Sequence, residues 1–210
     1  MGFDKIFARL AGKPVIAYSL SAFESADCVA EVILVGRTEQ LQEFVHSFKS
    51  NKVRHIVDGG VHRQDSVRAG LNVVTSSIEY IAVHDAARPL ITSDQINRVF
   101  EFARQHGGAT LAEPIADTLK RADGNGFVSA GIDRERLYAM QTPQIFARPL
   151  LMDAYAAVAA DNLSITDEVS AVEHLGGKVF VVPNDQLNLK ITFPRDLSLA
   201  ECYLAQRSGL

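Results

Sequence analysis

Asp85 stands where chemistry would be expected. It ends the apolar run Tyr80-Ile81-Ala82-Val83-His84 and is followed by Ala86, Ala87, Arg88 and Pro89. The run reads as a buried strand that Pro89 ends. Ligands of open α/β sheets bind at the carboxyl ends of strands, so a carboxylate here meets a metal ion or a ligand hydroxyl. Ala86 and Ala87 allow close backbone approach, and Arg88 brings an always-charged fork suited to phosphate. Plainer readings stand beside these: Asp85 caps a turn, and Arg88 pairs with a surface acid.

Two other stretches carry similar potential. Asp58-Gly59-Gly60-Val61-His62-Arg63-Gln64-Asp65-Ser66 follows an expected strand and opens an expected helix. The paired glycines admit a planar ligand or a phosphate, and Ser66 can donate to a base or an anionic oxygen. Alternatively Gly-Gly is a turn, and Ser66 or Asp65 an N-cap. Asn188-Leu189-Lys190-Ile191-Thr192 places one lysine in an expected strand, where lysine is depleted. Lys190 either snorkels to solvent or, with Asp85 and Lys5, clamps a phosphoryl group and its metal. No GxSxG elbow, HExxH or CxxC pair accompanies these residues. Phosphoryl transfer needs none, because positioning and charge neutralisation do most of its work.

Alternating strands and helices must position these residues. Residues 1 to 13 read as a loop punctuated by Gly2 and Gly12, and Pro14 opens a helix. Strands are expected at 31–35, 53–57, 80–84, 108–112, 178–182 and 187–192. Helices are expected after Thr38, over 66–76, after Thr92-Ser93-Asp94, over 149–160, from Thr166-Asp167-Glu168 and from Pro194. This alternation predicts a mostly parallel sheet with right-handed crossovers. Residues 115 to 141 break the rhythm. Asp123-Gly124-Asn125-Gly126 is a turn signal between two short strands, so a hairpin projects there, as a surface excursion or a dimerisation arm.

Bulk properties narrow the classes. The chain has 210 residues, 47% of them hydrophobic, enough for one substantial core. A net charge of -4 implies no broad basic face, which argues against nucleic acid as a partner. Cys28 and Cys202 form no disulfide framework and read as reduced thiols of a cytoplasmic protein. No apolar run reaches membrane-spanning length, and no signal-peptide pattern opens the chain. Among the scattered histidines only His84 adjoins a candidate residue, and a structural role suits it better than ligation.

Taken in order, the motifs resemble the 2-C-methyl-D-erythritol 4-phosphate cytidylyltransferase family of the non-mevalonate isoprenoid pathway. The matching segments are Lys5 with Leu10-Ala-Gly-Lys-Pro14, Asp58-Gly-Gly-x-x-Arg63-x-x-Ser66-Val67-x-x-Gly70-Leu71 and Val83-His-Asp-Ala-Ala-Arg-Pro89. Asp117-Thr118-x-Lys120, Thr142-Pro-Gln144, Thr166-Asp-Glu168 and Asn188-x-Lys190-x-Thr192 complete the set. The resemblance implies a single α/β domain over 1–210 with a Rossmann-like nucleotidyltransferase (GT-A-like) fold. It implies a mostly parallel sheet, helices on both faces, and a protruding β-arm over 115–140 that interlocks with a second subunit. Lys5 and Lys190 resemble the catalytic lysines, and Asp85 the ligand of Mg²⁺ or another divalent cation. Gly60, Ser66, Ala86 and Arg88 resemble nucleotide contacts. Thr118, Arg134, Thr142 and Thr166 match positions for the polyol phosphate, with Thr118 and Arg134 expected to act in the partner's site.

The implied reaction joins CTP and 2-C-methyl-D-erythritol 4-phosphate into the CDP-linked alcohol and pyrophosphate. A relative acting on ribitol 5-phosphate shares most motifs, and a catalytically impaired nucleotide-binding dimer is the alternative from another class. The family opens with a strand and an Ala-Ala-Gly-x-Gly-x-Arg-Met-Gly-like loop. Here Met1-Gly2 matches only the end of that loop. The expectation is weak or no turnover for the 210-residue form.

Overall fold

The structure, a computed structural model, describes residues 4 to 207. Met1 and Gly2, and with them the match to the end of the family's loop, lie outside the described residues. Ten strands and seven helices follow in order: β1 (Arg9–Leu10), β2 (Lys13–Pro14), α1 (Val15–Ser25), β3 (Val32–Gly36), α2 (Thr38–Phe48), β4 (Val53–Asp58), α3 (Arg63–Leu71), β5 (Tyr80–Val83) and α4 (Ser93–His106) open the chain. Then come β6 (Gly108–Pro114), β7 (Leu119–Ala122), β8 (Val128–Ile132), β9 (Tyr138–Ala147), α5 (Arg148–Ala160), α6 (Glu168–His174), β10 (Phe180–Pro183) and α7 (Pro194–Arg207).

The main sheet has the order β10-β6-β9-β5. β10 runs parallel to β6, whereas β9 is antiparallel to both β5 and β6. β5, β6 and β10 therefore point the same way, as the βαβ rhythm predicts. β9 is reversed because a hairpin, not a helical crossover, carries the chain from β6 back to the sheet. β3 and β4 form a separate parallel pair.

Helices cover both faces. In β9, Ile145 joins the cluster of α4 residues Ile96, Val99 and Ala103. Its neighbour Phe146 points oppositely, into the cluster of Leu151, Ala154, Tyr155 and Val172 from α5 and α6. That is the alternation a strand imposes. The hydroxyl of Thr92 caps α4 by accepting from the Gln95 amide at 3.2 Å, and the Gln95 side chain accepts from the Thr92 amide at 3.0 Å. Asp167 caps α6, its carboxylate accepting from the Ser170 amide at 3.0 Å.

Three expectations need correction. Residues 187–192 form no ladder; the segment is held by other means, described below. α3 begins at Arg63, not Ser66, so Ser66 lies within the helix. Thr38 is the first helical residue of α2, and its hydroxyl bonds the Asp58 carboxylate across the β3–β4 ends instead of capping.

Candidate active site

The turn after β5 is built to hold Asp85. The Arg88 amide donates to the Asp85 carbonyl at 2.9 Å, closing the turn. The Ile191 amide donates to the Ala87 carbonyl at 2.8 Å. Ala87 is buried, and its methyl lets the 187–192 segment lie alongside. The Asn188 side-chain amide donates to Gln141 Oε1 at 3.1 Å and to the Thr142 carbonyl at 3.0 Å. These bonds replace the missing ladder and deliver Lys190 to Asp85.

His84 and Thr142 lock the same turn from beneath. The Asp85 amide donates to Thr142 Oγ1 at 3.0 Å, and Thr142 Oγ1 lies 3.0 Å from His84 Nδ1. His84 Nε2 lies 3.3 Å from the Arg88 carbonyl, which can only accept, so Nε2 carries the proton and Nδ1 accepts from the threonine. Burial pushes the His84 pKa down to about 4, against the pull of Asp85. The imidazole is thus neutral near pH 7 with both nitrogens engaged. Its role is structural, as its sequence context suggested.

Three cations surround the Asp85 carboxylate. Lys190 Nζ donates to Oδ2 at 2.6 Å, Arg63 Nε donates to Oδ1 at 3.1 Å, and Arg88 Nε stands 3.9 Å from Oδ2. Burial alone would raise the Asp85 pKa, but the Lys190 hydrogen bond and the Arg63 charge outweigh it and hold the carboxyl down at about 2. Arg88 Nη1 donates to the Asn188 carbonyl at 2.7 Å, while its Nε is buried without a hydrogen-bond partner. Such an unpaired donor is a strong point of attraction for an anion.

Arg63 is itself gripped from behind. Its Nη1 and Nη2 donate to the two oxygens of Glu168 at 2.7 and 2.9 Å. Tyr155 Oη also donates to Glu168 at 2.9 Å, and Glu168 is completely buried. Burial would lower the Arg63 pKa, yet the Glu168 bond and charge drive it above its ordinary value. Gln144 Oε1 accepts from the amides of Glu168 and Val169, both at 3.1 Å, tying α6 to β9. The line Glu168–Arg63–Asp85–Lys190 therefore joins α6, α3, the β5 turn and the 187–192 segment.

A cavity of about 430 Å³ opens over this line, with Arg63, Asp85, Arg88, Thr142, Thr166 and Lys190 in its wall. Gly60 precedes α3 and Ser66 lies within it, and the Gly60 amide donates to Ser66 Oγ at 3.0 Å. A Cβ on Gly60 would stand 2.2 Å from Asp65 Cβ, so only glycine permits this close return of the loop. Ala86 faces a neighbouring cavity that also meets Arg63 and Asp85.

Lys5, Thr118 and Arg134 are not gathered here, whereas Thr142 and Thr166 are. Lys5 lies in the turn before β1 and forms no hydrogen bond or ion pair within the described residues; its neighbour Asp4 pairs with Arg37. Thr118 and Arg134 are exposed on the hairpin arm. Thr142 spends its hydroxyl on the turn, and Thr166 is exposed at the cavity rim, its Oγ1 3.2 Å from Ser170 Oγ.

Sequence reasoning gave no role to Arg63 or Glu168, although both fall inside quoted motifs. The signal for Glu168 was its spacing with Ala171 and Val172, which puts a carboxylate on the apolar face of α6. Such a residue needs a buried cation.

Comparison with known proteins identifies the family. The sequence profile of the family "IspD: 2-C-methyl-D-erythritol 4-phosphate cytidylyltransferase" matches residues 1–206. The enzyme of that name from Caldanaerobacter subterraneus subsp. tengcongensis is 40% identical over 205 residues, covering 96% of this chain and 90% of that protein. The one from Dehalococcoides mccartyi is 40% identical over 206 residues, covering 97% and 89%. Among solved structures, 4-diphosphocytidyl-2C-methyl-D-erythritol synthase from Anaerococcus prevotii superposes with a TM-score of 0.87 at 26% identity, covering 97% of this chain and 91% of that one. The Thermus thermophilus cytidylyltransferase superposes with a TM-score of 0.80 at 31% identity, covering 96% and 94%. A chain matched along nearly its whole length in sequence and in fold belongs to the 2-C-methyl-D-erythritol 4-phosphate cytidylyltransferase family, nucleotidyltransferases of isoprenoid biosynthesis.

Proposed function

We propose that the Asp85 cavity is where this chain transfers CMP from CTP to the phosphate of 2-C-methyl-D-erythritol 4-phosphate. A phosphate oxygen of the polyol attacks the α-phosphorus in line. The new P–O bond forms as the bond from that phosphorus to the bridging oxygen breaks, and pyrophosphate leaves with the bonding electrons. The attacking oxygen is already ionised near neutral pH, so no general base is needed. This suits a site whose histidine is neutral with both nitrogens engaged.

The observation that carries this reading is a set of three cations on one carboxylate. Lys190 and Arg88 are positioned to turn from Asp85 to phosphate oxygens as charge builds in the transition state. Lys5, which lies outside the cavity wall in the turn before β1, is assigned to the triphosphate with them. Gly60, Ser66 and Ala86 take the nucleotide, and Thr142 and Thr166 take the polyol phosphate.

Asp85 also suits Mg²⁺, which binds through one or two carboxylates and completes its shell with substrate phosphates and water. Asp85 would be the residue that holds such an ion, its carboxylate being kept ionised by Lys190 and Arg63. When bound, such an ion would supply neutralisation of phosphate charge.

The hairpin arm exposes Phe127, Val128 and Ile132, an apolar surface suited to a second copy of this chain. In that homodimer Thr118 and Arg134 reach the partner's polyol phosphate. The free cysteines Cys28 and Cys202 suit a cytoplasmic protein, and no helix among the described residues is long and apolar enough to cross a membrane.

Assaying CTP with methylerythritol phosphate and with ribitol 5-phosphate in parallel tests the assignment. Pyrophosphate release with the first and at least 10-fold less with the second is expected. Equal or greater release with ribitol 5-phosphate refutes the substrate, and CTP binding without release in either case refutes catalysis.

A further inference from the structure

Four side-chain amides are buried: Gln95 of α4, Gln141 of β9, Asn184 just past β10, and Asn188. Such groups are costly in a core unless each finds its partners. Here they form a chain in which every bond runs the same way. The Thr92 amide donates to Gln95 Oε1 at 3.0 Å. Gln95 Nε2 donates to Asn184 Oδ1 at 2.8 Å, and Asn184 Nδ2 to Gln141 Oε1 at 3.0 Å. Gln141 Nε2 donates in turn to Glu113 Oε2 at 3.1 Å. Asn188 enters from the side, its Nδ2 donating to the same Gln141 Oε1 at 3.1 Å.

Main-chain groups decide how these amides face. Asn184 Oδ1 accepts from the Gln186 amide at 3.2 Å, while its Nδ2 donates to the Gln186 carbonyl at 2.7 Å. Asn188 Nδ2 also donates to the Thr142 carbonyl at 3.0 Å. A main-chain N–H only donates and a carbonyl only accepts, so both asparagines turn nitrogen toward Gln141. Gln141 must then offer its oxygen to both, and its nitrogen needs an acceptor on the far side. Glu113, exposed in β6, is that acceptor. An ionised carboxylate only accepts, which holds the Gln141 amide one way round.

The side branch leads to the cations around Asp85. The Asn188 carbonyl accepts from Arg88 Nη1 at 2.7 Å, and two residues on, Lys190 Nζ meets Asp85. Asn188 thus carries one cation of the cluster and orients another, in a segment without a ladder to hold it. We propose that Gln141 is a positioning residue for phosphoryl transfer: through Asn188 it sets where Lys190 and Arg88 stand, and Glu113 locks the direction of its amide. This rests on the function proposed above. An apolar side chain would fill the same space but leave both asparagine donors without this acceptor. Small displacements matter here, because a misplacement of about 1 Å can cost roughly 10²-fold in rate.

The test exchanges donor and acceptor. In Gln141→Glu one carboxylate oxygen still accepts from both asparagines, while the other faces Glu113 and is repelled. Adding Glu113→Gln sets an amide nitrogen against that oxygen and restores the bond in reverse. Pyrophosphate release from CTP and 2-C-methyl-D-erythritol 4-phosphate is measured per folded chain, beside amide hydrogen exchange. Gln141→Glu should lower kcat about 10-fold with KM for CTP changed less than about 2-fold, and the second substitution should return kcat to within about 3-fold. The Ile191 amide, which donates to the Ala87 carbonyl, should exchange about 10-fold faster in Gln141→Glu and recover in the pair. Gln141→Met, which removes the acceptor without adding charge, should show the same fall and the same faster exchange. In a Lys190→Ala background the Gln141→Glu loss should shrink below about 3-fold, because the two act along one route. Unchanged kcat or unchanged Ile191 exchange in the Gln141 variants overturns the proposal. So does a loss that Glu113→Gln leaves in place, or one that adds in full to Lys190→Ala. A parent chain without pyrophosphate release refutes instead the function on which the proposal rests, and Ile191 exchange, which needs no turnover, still reads the link from Gln141 to the segment.

Discussion

At the scale of single residues, buried charge decides behaviour. Glu168 has no access to water, and Arg63 is its counter-ion. Removing one partner of a buried pair typically costs about 3–5 kcal/mol. Glu168→Gln should therefore lower Tm strongly. It should also free Arg63 from its fixed orientation and reduce kcat/KM about 10-fold; a kinetic assay beside a melting curve reads both, and unchanged values would remove Glu168 from the account. His84 acts on stability through pH. Its folded pKa of about 4 lies below the ordinary 6.5, so between those values the unfolded chain binds the proton and the folded chain does not. Stability is then full above about pH 6.5 and declines toward pH 4. His84→Phe should flatten that limb in denaturant titrations, while lowering stability at pH 7 by about 1–3 kcal/mol for the unpaired Thr142 hydroxyl and Arg88 carbonyl. Asp85 titrates lower still: its contribution is complete above about 3.8 and is lost as pH falls through about 2.

At the scale of elements, local signals were mostly sufficient. Pro14, Thr92, Asp167 and Pro194 marked helix starts because each acts through its own backbone neighbourhood. The hairpin signal at Asp123-Gly124-Asn125-Gly126 located β7 and β8 for the same reason. The 187–192 segment was misread as a strand because alternating Leu189, Lys190 and Ile191 imitate one. Its actual partners, Gln141, Thr142 and Ala87, are distant in sequence. The Asp85–Lys190 contact was legible as a pairing of unusual residues, whereas the grip of Glu168 on Arg63 required knowing that α6 lands over α3. Capping predicts a further outcome. Asp167→Ala should cost about 1 kcal/mol, read by denaturation, and should weaken the polyol-phosphate side of the cavity by loosening α6 from Gln144, read as a raised KM.

At the scale of the whole molecule, the chain divides into a packed body and an exposed arm. The arm's apolar residues gain nothing from the body: Phe127 is 72% and Val128 69% exposed. A patch of this kind suits the homodimer proposed above. If the arm pairs two copies as proposed, Phe127→Ser should shift sedimentation toward monomer and raise KM for the polyol phosphate. A monomeric parent chain would exclude the interlocked arrangement. Charge on the transferring phosphorus, in the mechanism proposed above, is met at the Asp85 cluster. Pyrophosphate release from CTP and methylerythritol 4-phosphate, compared between the parent chain and Lys190→Ala, tests it most directly. In Lys190→Ala kcat should fall about 10²-fold or more, with CTP affinity changed far less; near-normal kcat would rule out this role for the cluster.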